Sequence, residues 1–441
     1  MSKMLFALSV YVASMILIFL QPAFGQDEYE FDLSGIEKEI EKKPYYIGGF
    51  FEFRPVLFGL NRDSAFYKLR FFAQDEGSTL EEYNSALRLE GGYQNGLASL
   101  YFRTDSRLWY DYQGLDEDID LQEGYFSLKP VPSFTLDAGK KVLQWGKGYA
   151  FNPVAFVSRP KDSDNPTEAL EGYYVVTADF IKSFSGHLKT LAFTPVILPV
   201  TESINDDFGK ADQINFAAKL YLLLWDTDMD ILFFTGKSRT TRYGFDFAGN
   251  IKTNLEFHGE LAWITDFDKK HIDSEGKLST KESDIFKFLF GIRYLTTNEI
   301  TFTFEYYHND GGIDKEESEN LFKFVDRAYD IFLDTGESLQ LDKAARLSQG
   351  TMAAAKPMSD YLYFRASWKE PFDILYFTPA MTSIVNVTDH SLSITPELVY
   401  SPKTNLALRL RGAFLAGGKN TEYGEKQNDY KMELRFRYFF N

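Results

Sequence analysis

The sequence predicts an all-β fold, a transmembrane antiparallel β-barrel of about 18 strands, within a range of 16–18. Three observations lead to this prediction. Apolar and polar residues alternate along most of the chain, short connections alternate with long polar ones, and aromatic residues make up 17% of the sequence. The mean hydropathy is nonetheless negative. A barrel explains this combination, because each of its strands offers lipid only every second side chain.

The first 25 residues have the organisation of a cleaved signal peptide. Lys3 gives a positive start, Met4 to Leu20 carry no charge, and Pro22-Ala23-Phe24-Gly25 ends in a small-x-small pattern. We expect cleavage after Gly25, followed by export to the cell outer membrane. A retained anchor is the alternative, at the lower edge of spanning length. Residues 26–45 then form a short acidic periplasmic segment, and residues 46–441 form the predicted barrel.

The last strand shows the alternation most clearly. Its apolar positions are Tyr430, Met432, Leu434, Phe436, Tyr438 and Phe440, and its polar positions are Lys431, Glu433, Arg435 and Arg437. A strand places these two sets on opposite faces. We expect the apolar face to contact outer-membrane lipid, and this C-terminal aromatic strand to be recognised by the barrel-assembly machinery. Equivalent lipid-facing positions are predicted at Phe286, Phe302, Phe364, Leu408 and Leu410.

The connections sort by length in the way that outer-membrane barrels require, with short periplasmic turns and long extracellular loops. Tight links are predicted at 94–96, 129–133, 297–298, 370–371 and 401–404. Long polar links are predicted at 74–82, 146–170, 201–212, 266–283, 310–358 and 417–428. The segment Tyr46 to Phe72 fits either one strand with a broken extension or two strands, and an even strand count favours one.

The longest link, Asp310 to Met358, contains apolar residues at helical spacing. They are Leu321, Phe324, Val325, Ala328, Ile331 and Phe332. This stripe predicts a helix that packs either into the barrel mouth or onto another surface loop.

Composition and motifs exclude several classes of function. The chain has no Cys, which excludes disulfide scaffolds, Fe–S clusters and covalently attached haem. Its formal net charge of -17 argues against a nucleic-acid partner. The histidines show no metal-ligand spacing, and neither a phosphate-binding loop nor a nucleophile elbow occurs. We therefore predict no catalytic residues, no metal and no cofactor, and a protein that is not an enzyme.

Charged residues on the polar strand faces predict the lining of the lumen. A closed barrel pairs its first and last strands, so arginines from both ends of the chain become neighbours. We call this set the basic wall: Arg54, Arg88, Arg103, Arg107, Arg409, Arg411, Arg435 and Arg437. The acidic wall, about half a circumference away, consists of Glu256, Glu260 and Glu305. Charged walls sort ions in pores. The alternative is that the arginines pair with carboxylates and fill a polar interior.

One stretch resembles a known family. Leu121-Gln122-Glu123-Gly124-Tyr125 precedes Gly139-Lys140-Lys141-Val142-Leu143-Gln144-Trp145-Gly146, and Asn152-Pro153 and Asp162 follow. This pattern is similar to a segment of porin-like outer-membrane proteins of poorly defined function, although Lys141 stands where Gln is usual. The resemblance implies that the loop from Gly146 to Leu170 folds inward. Its charged residues, Arg159, Lys161, Asp162, Asp164 and Glu168, would then narrow the pore.

The sequence thus predicts a porin-like channel for small polar or charged solutes, with selectivity set by the basic wall and the inward-folded loop. The main alternative is a barrel component of an export or electron-transfer assembly, either an exporter of acidic polysaccharide or a sheath for a periplasmic electron carrier. A surface enzyme or adhesin is a third class. The identity of the solute and the oligomeric state are not determined by the sequence.

Overall fold

The computed structural model describes residues 43–74, 77–352 and 356–441. The described residues form 18 antiparallel strands that pair in sequence order. They are β1 (Tyr45–Leu60), β2 (Thr79–Asn95), β3 (Ala98–Asp111), β4 (Gly114–Val131), β5 (Phe134–Lys141), β6 (Tyr173–Ser183), β7 (Leu188–Val200), β8 (Gln213–Leu224), β9 (Thr227–Thr235), β10 (Arg242–Lys252), β11 (Leu255–Ile272), β12 (Leu278–Leu295), β13 (Ile300–Asn309), β14 (Asp360–Trp368), β15 (Phe377–Asn386), β16 (Ser391–Lys403), β17 (Leu406–Ala416) and β18 (Asn428–Phe440).

Pairing of β1 with β18 closes the sheet into a barrel. Glu52 lies opposite Arg437 and Phe53 opposite Phe436, so the closing seam keeps charged side chains on one face and aromatic ones on the other. The predicted fold class is therefore confirmed. The predicted signal peptide and nearly all of the predicted periplasmic segment lie outside the described residues.

Side-chain exposure alternates along the strands as the sequence pattern requires. In β18, Leu434 and Phe436 are exposed, whereas Glu433 and Arg435 are buried. Exposed residues on other strands include Phe286, Phe364 and Leu410, all from the predicted lipid-facing set. An exposed apolar outer face together with a buried polar inner face is typical of a barrel that spans a lipid bilayer.

Short and long connections lie at opposite ends of the barrel. At the end that holds Tyr45 and Phe440, adjacent strands are joined by short turns, and we call it the turn end. At the other end, the loop end, the connections include residues 61–78, 142–172, 310–359 and 417–427. The predicted alternation of connection lengths therefore holds in general.

Two predicted connections differ in detail. β11 and β12 stay paired from Phe267–Ser283 to Ile272–Leu278, so the predicted 266–283 link is mainly a strand hairpin. A register shift after Ile264 interrupts the pairing and hid its continuation, since a bulge reverses the alternation of side chains. Tyr46 to Phe72 is one strand followed by a helix, α1 (Ala65–Phe71), whose N-cap is Ser64.

The longest loop forms two helices, α2 (Lys315–Thr335) and α3 (Leu339–Met352). A capping box between Asp314 and Glu317 begins α2. Four of the six residues of the predicted stripe join one buried apolar cluster, which also includes Phe151, Tyr361 and Tyr363. The helices therefore pack into the barrel mouth. Among the helices of the described residues, none is long and apolar enough to cross a membrane.

Salt bridges connect the helices to neighbouring elements at the loop end. Asp326 of α2 pairs with Lys68 of α1 at 2.6 Å and with Lys419 of the β17–β18 loop at 2.8 Å. His271 of β11 contacts Glu317 at 2.5 Å. The apolar stripe on α2 thus faces inward, while its charged residues bind the surrounding loops.

An arginine on the outer face should weaken folding into a bilayer. Phe304 lies near the middle of β13, opposite Ile292 and Phe364, and is 39% exposed. We expect Phe304→Arg to reduce the free energy of folding into lipid vesicles by about 2–4 kcal/mol, measured by urea titration. Phe372→Arg, in the turn between β14 and β15, is the control and should cost about 0–1 kcal/mol. Equal costs for the two variants would contradict the assignment of the outer face.

Candidate pore constriction

Residues 142–172, between β5 and β6, leave the wall and enter the lumen; we call them the inward loop. The sequence placed the end of the strand at Trp145-Gly146, but β5 ends at Lys141. The backbone N–H of Val142 donates to the Glu123 carboxylate at 2.9 Å, and that of Gly172 donates to the Gln122 carbonyl at 2.9 Å. These two bonds take the place of further pairing between β4 and β5, so β5 ends at Lys141, before Trp145-Gly146.

An apolar side of the inward loop packs on the inner faces of β6 to β9. The loop contributes Leu143, Trp145, Val154, Phe156 and Val157, and the wall contributes Val175, Val196, Leu198, Val200, Leu232 and Phe234. The lumen is therefore apolar on this side. The sequence analysis missed this packing, although nearly continuous apolar runs in β7 and β8 were a signal that both strand faces are covered.

The first arm of the inward loop, residues 147–154, is held by the acidic wall. Glu260 accepts backbone N–H groups from Gly148 at 2.6 Å and from Val154 at 3.2 Å. Glu305 accepts those of Tyr149 and Ala150, the latter at 2.9 Å. Glu260 and Glu305 are 3% and 0% exposed. They therefore lie beneath the loop and bind its main chain.

Two glycines allow this close approach. Gly146 has φ of +95°, and a Cβ atom there would lie 2.7 Å from Glu260 Oε1. A Cβ atom on Gly148 would lie 2.0 Å from the carbonyl oxygen of Phe151. Both contacts are too short for a side chain, so glycine at these positions lets the main chain reach the carboxylates.

Lysines complete the hold on the first arm. Lys147 Nζ lies 2.9 Å from Asp230 and 3.9 Å from Asp246, both fully buried. Burial alone would lower the pKa of Lys147, but the nearby aspartates raise it above its ordinary value. Lys161 Nζ donates to the carbonyl oxygens of Gly148 at 2.6 Å and Tyr149 at 3.3 Å, which ties the loop to itself.

The second arm, residues 164–170, lies against the basic wall. Arg411 donates to the Asp164 carbonyl, Arg409 donates to the Asn165 side chain at 3.3 Å, and Arg103 donates to the Leu170 carbonyl at 2.5 Å. The Glu168 carboxylate lies 3.5 Å from Arg435 and 3.8 Å from Arg437. The inward loop therefore crosses the lumen from the acidic wall to the basic wall.

Most arginines of the basic wall also have carboxylate partners. Arg88 makes a bidentate pair with Asp105 at 2.6 Å, and Arg437 pairs with Glu52 at 2.6 Å. Further pairs are Arg103–Glu123 at 3.1 Å, Arg409–Glu397 at 2.6 Å, and Arg107 with Asp118 and Asp120. The two sequence-based alternatives thus coexist, since the arginines are gathered together and also paired.

Several predicted residues also contact parts of the protein outside the basic wall. Arg107 is near the loop end, with its side chain 47% exposed. Arg159 pairs with Glu171 and Asp207. Glu256 contacts His258 and Arg293 and is not bonded to the loop. Asp164 pairs with Lys356 at 3.3 Å.

Two residues of the cluster were not singled out from the sequence. Arg365 of β14 pairs with Glu397 of β16 at 3.0 Å. The alternation in each strand places these side chains on the polar face, so parity was an available signal. Their pairing partners depend on the curvature of the barrel, which a single strand does not reveal.

Three cavities surround the second arm. The first, of about 510 Å³, is lined by Arg103, Glu123 and both ends of the inward loop. The second, of about 390 Å³, is lined by Arg54, Arg88, Arg107, Arg437 and the loop, including Asp162. The third, of about 380 Å³, is lined by Arg88, Arg365, Arg409, Arg435, Arg437, Glu168 and Glu397 among others. In the described part of the chain, no three acidic or histidine side chains converge as a metal site would require.

Solved structures with the same architecture come from two bacteria. OccAB1 of Acinetobacter baumannii matches with a TM-score of 0.51 and 11% identity, over 92% of this chain and 99% of that one. OccK11 (OpdR) and OccK5 (OpdH) of Pseudomonas aeruginosa each match 89% of this chain with a TM-score of 0.50, at 12% and 13% identity, over 96% and 98% of their own lengths. The chain has the fold of the Occ outer-membrane porins.

This similarity to the Occ porins is one of fold alone, since the identities are low. No protein-family model matches the sequence, and no curated protein matches it significantly. The specific motif around Lys141 is therefore still a resemblance.

Removing one anchor should release the first arm. Glu305→Ala leaves the buried N–H groups of Tyr149 and Ala150 without their acceptor, at about 1–3 kcal/mol for each group. We expect amide hydrogen exchange over residues 147–154 to accelerate at least about tenfold, measured by mass spectrometry. Glu256→Ala, on a carboxylate that does not bond the loop, is the matched control. Unchanged protection in Glu305→Ala would show that the other contacts hold the arm without Glu305.

Proposed function

We propose that this chain is an outer-membrane channel for small polar or charged solutes, integral to the lipid bilayer and not an enzyme. The signal peptide (1–25), the periplasmic segment (26–45) and recognition of β18 by the barrel-assembly machinery belong to this proposal. The closed barrel with an apolar outer face supports the membrane location. The fold shared with the Occ porins supports a channel.

One observation carries the proposal. The cavity of about 380 Å³ is lined by five arginines and only two carboxylates, Glu168 and Glu397. It lies where the second arm of the inward loop meets the basic wall, so a solute that crosses the lumen meets both. In a narrow passage with low-dielectric walls, lining charges are focused and act strongly on permeating ions.

The paired arginines still favour anions at this point. Their partners Asp105 and Glu52 do not line the cavity, whereas the guanidinium groups of Arg88 and Arg437 do. At these two pairs, a solute in this cavity is therefore closer to the arginine than to the carboxylate. Charges at the distant loop end are screened within about 8 Å at physiological ionic strength.

Neutralising two of these arginines should change selectivity. We expect the double variant Arg88→Gln/Arg409→Gln to shift the reversal potential in a salt gradient toward cation preference, because Asp105 and Glu397 each lose a partner. The control is Arg327→Gln/Lys343→Gln on α2 and α3, which removes the same charge outside the lumen. A folded barrel in which both double variants leave the reversal potential unchanged would reject the basic wall as a selectivity element.

Shortening the inward loop should widen the passage. Deletion within the segment between Ala150 and Pro166 removes protein from the lumen, so we expect single-channel conductance in planar bilayers to rise severalfold. Retention of heat-modifiable gel mobility would show that the barrel is folded. If conductance stays at the wild-type level in the folded variant, the inward loop does not limit permeation.

A further inference from the structure

Glu168 of the inward loop lies among the arginines at the centre of the site. It lines all three cavities around the second arm. Its carboxylate faces Arg435 and Arg437, and the Asn165 side chain donates a hydrogen bond to it. The loop thus places a carboxylate where the cavities adjoin, among the arginines.

The contacts of Glu168 with the arginines are long. Close ion pairs between guanidinium and carboxylate groups have N–O distances near 2.7–2.9 Å, whereas these are 3.5 and 3.8 Å. Arg435 reaches its other carboxylates, Glu52 and Glu433, only at 3.6 and 3.7 Å. Its buried Nε has no hydrogen-bond acceptor among the described residues. Arg435 therefore has no carboxylate partner at close range among the described residues.

The charges of the cluster also single out Glu168. Five guanidinium groups line the third cavity, from Arg88, Arg365, Arg409, Arg435 and Arg437. The barrel wall gives them four carboxylates within 4 Å: Asp105, Glu397, Glu52 and Glu433. Glu168 is the fifth, and it is the one that comes from a loop rather than from a strand.

We propose that Glu168 is a tethered anion that occupies the arginine cluster when the channel is empty, and that a permeating small anion must displace it. This inference rests on the proposed function and identifies a specificity-determining residue within the same site. Exchange of one carboxylate for another keeps the cluster neutral, so the displacement avoids leaving guanidinium groups unpaired in the lumen.

The ionisation of Glu168 is compatible with this role. Burial alone would raise the pKa of its carboxyl, but Arg435, Arg437 and Arg54 offset burial and hold the pKa below its usual range. The carboxylate is therefore negative at neutral pH. The loop is also held through its main chain, by Glu260 and Glu305 in the first arm and by Arg411 and Arg103 in the second, so displacement of the Glu168 side chain does not free the whole loop.

The test uses potassium propionate, whose anion resembles a free glutamate side chain. Propionate is titrated into planar-bilayer recordings of the full-length channel in about 0.1 M KCl, an ionic strength with a screening length near 10 Å, and the half-blocking concentration is measured. We expect Glu168→Gln to lower that concentration at least about tenfold, the ratio that corresponds to 1.4 kcal/mol, because the internal competitor is gone.

Two further variants separate direct occupancy from a general charge effect. Glu168→Asp keeps the charge but withdraws the carboxylate from the arginines, so it should move most of the way toward Glu168→Gln. Glu171→Gln removes the same charge from a loop residue that pairs instead with Lys140 and Arg159. Propionate should block this variant at the half-blocking concentration of the wild type.

Three outcomes would overturn the tethered anion. They are an unchanged half-blocking concentration in Glu168→Gln, an equal change in Glu171→Gln, or wild-type behaviour of Glu168→Asp. If Glu168→Gln does not fold, Glu168→Asp decides alone. A wild-type protein that forms no conducting channel would instead reject the proposed function on which this inference rests.

Discussion

The pairing of β1 with β18 is the constraint on which the rest of the structure depends. A barrel in lipid has no open edge, because an unpaired strand would leave N–H and C=O groups without partners where water is absent. Closure brings Glu52 beside Arg437 across the seam and gathers arginines from the two ends of the chain on one side of the lumen. The same closure fixes which strand faces point inward, and an inward face crowded with charge must then be neutralised from within.

The inward loop meets that requirement and also crosses the lumen. Its apolar side covers the inner faces of β6 to β9, and its main-chain N–H groups satisfy the buried carboxylates Glu260 and Glu305. A buried carboxylate without such donors would cost several kcal/mol. On the opposite side, Asp164, Asn165 and Glu168 meet the arginines. The loop therefore contacts two chemically different walls, one apolar and acidic and the other basic.

The barrel itself was predictable because strand alternation is local. The order of residues within each strand shows which face is polar, as Glu433 and Arg435 illustrate beside Leu434 and Phe436. The pairing of β1 with β18 then follows from closure of the barrel. The site was only partly predictable. Strand parity lists the arginines of the basic wall, but Arg365 and Glu397 were overlooked because partners across the lumen depend on curvature and on side-chain length. Glu260 and Glu305 lie on the polar face of their strands, yet their bonds to main-chain N–H groups leave no sequence signature beyond Gly146 and Gly148.

The two arms of the inward loop are held by forces of different kinds, and this difference matters for a passage. The first arm combines buried apolar packing with short hydrogen bonds to carboxylates that are nearly inaccessible to water, so it belongs with the most stable part of the lumen. The second arm is held by arginine side chains. Arg103 and Arg411 bond two of its carbonyl groups closely, whereas Arg409 to Asn165 and Arg435 to Glu168 are separated by 3.3 Å and 3.5 Å. Interactions of that length, partly open to solvent, are the ones that dissolved ions can compete with. The two arms of the loop therefore differ in kind: buried contacts fix the first arm, whereas the longer contacts of the second arm at Asn165 and Glu168 are open to competition from dissolved ions.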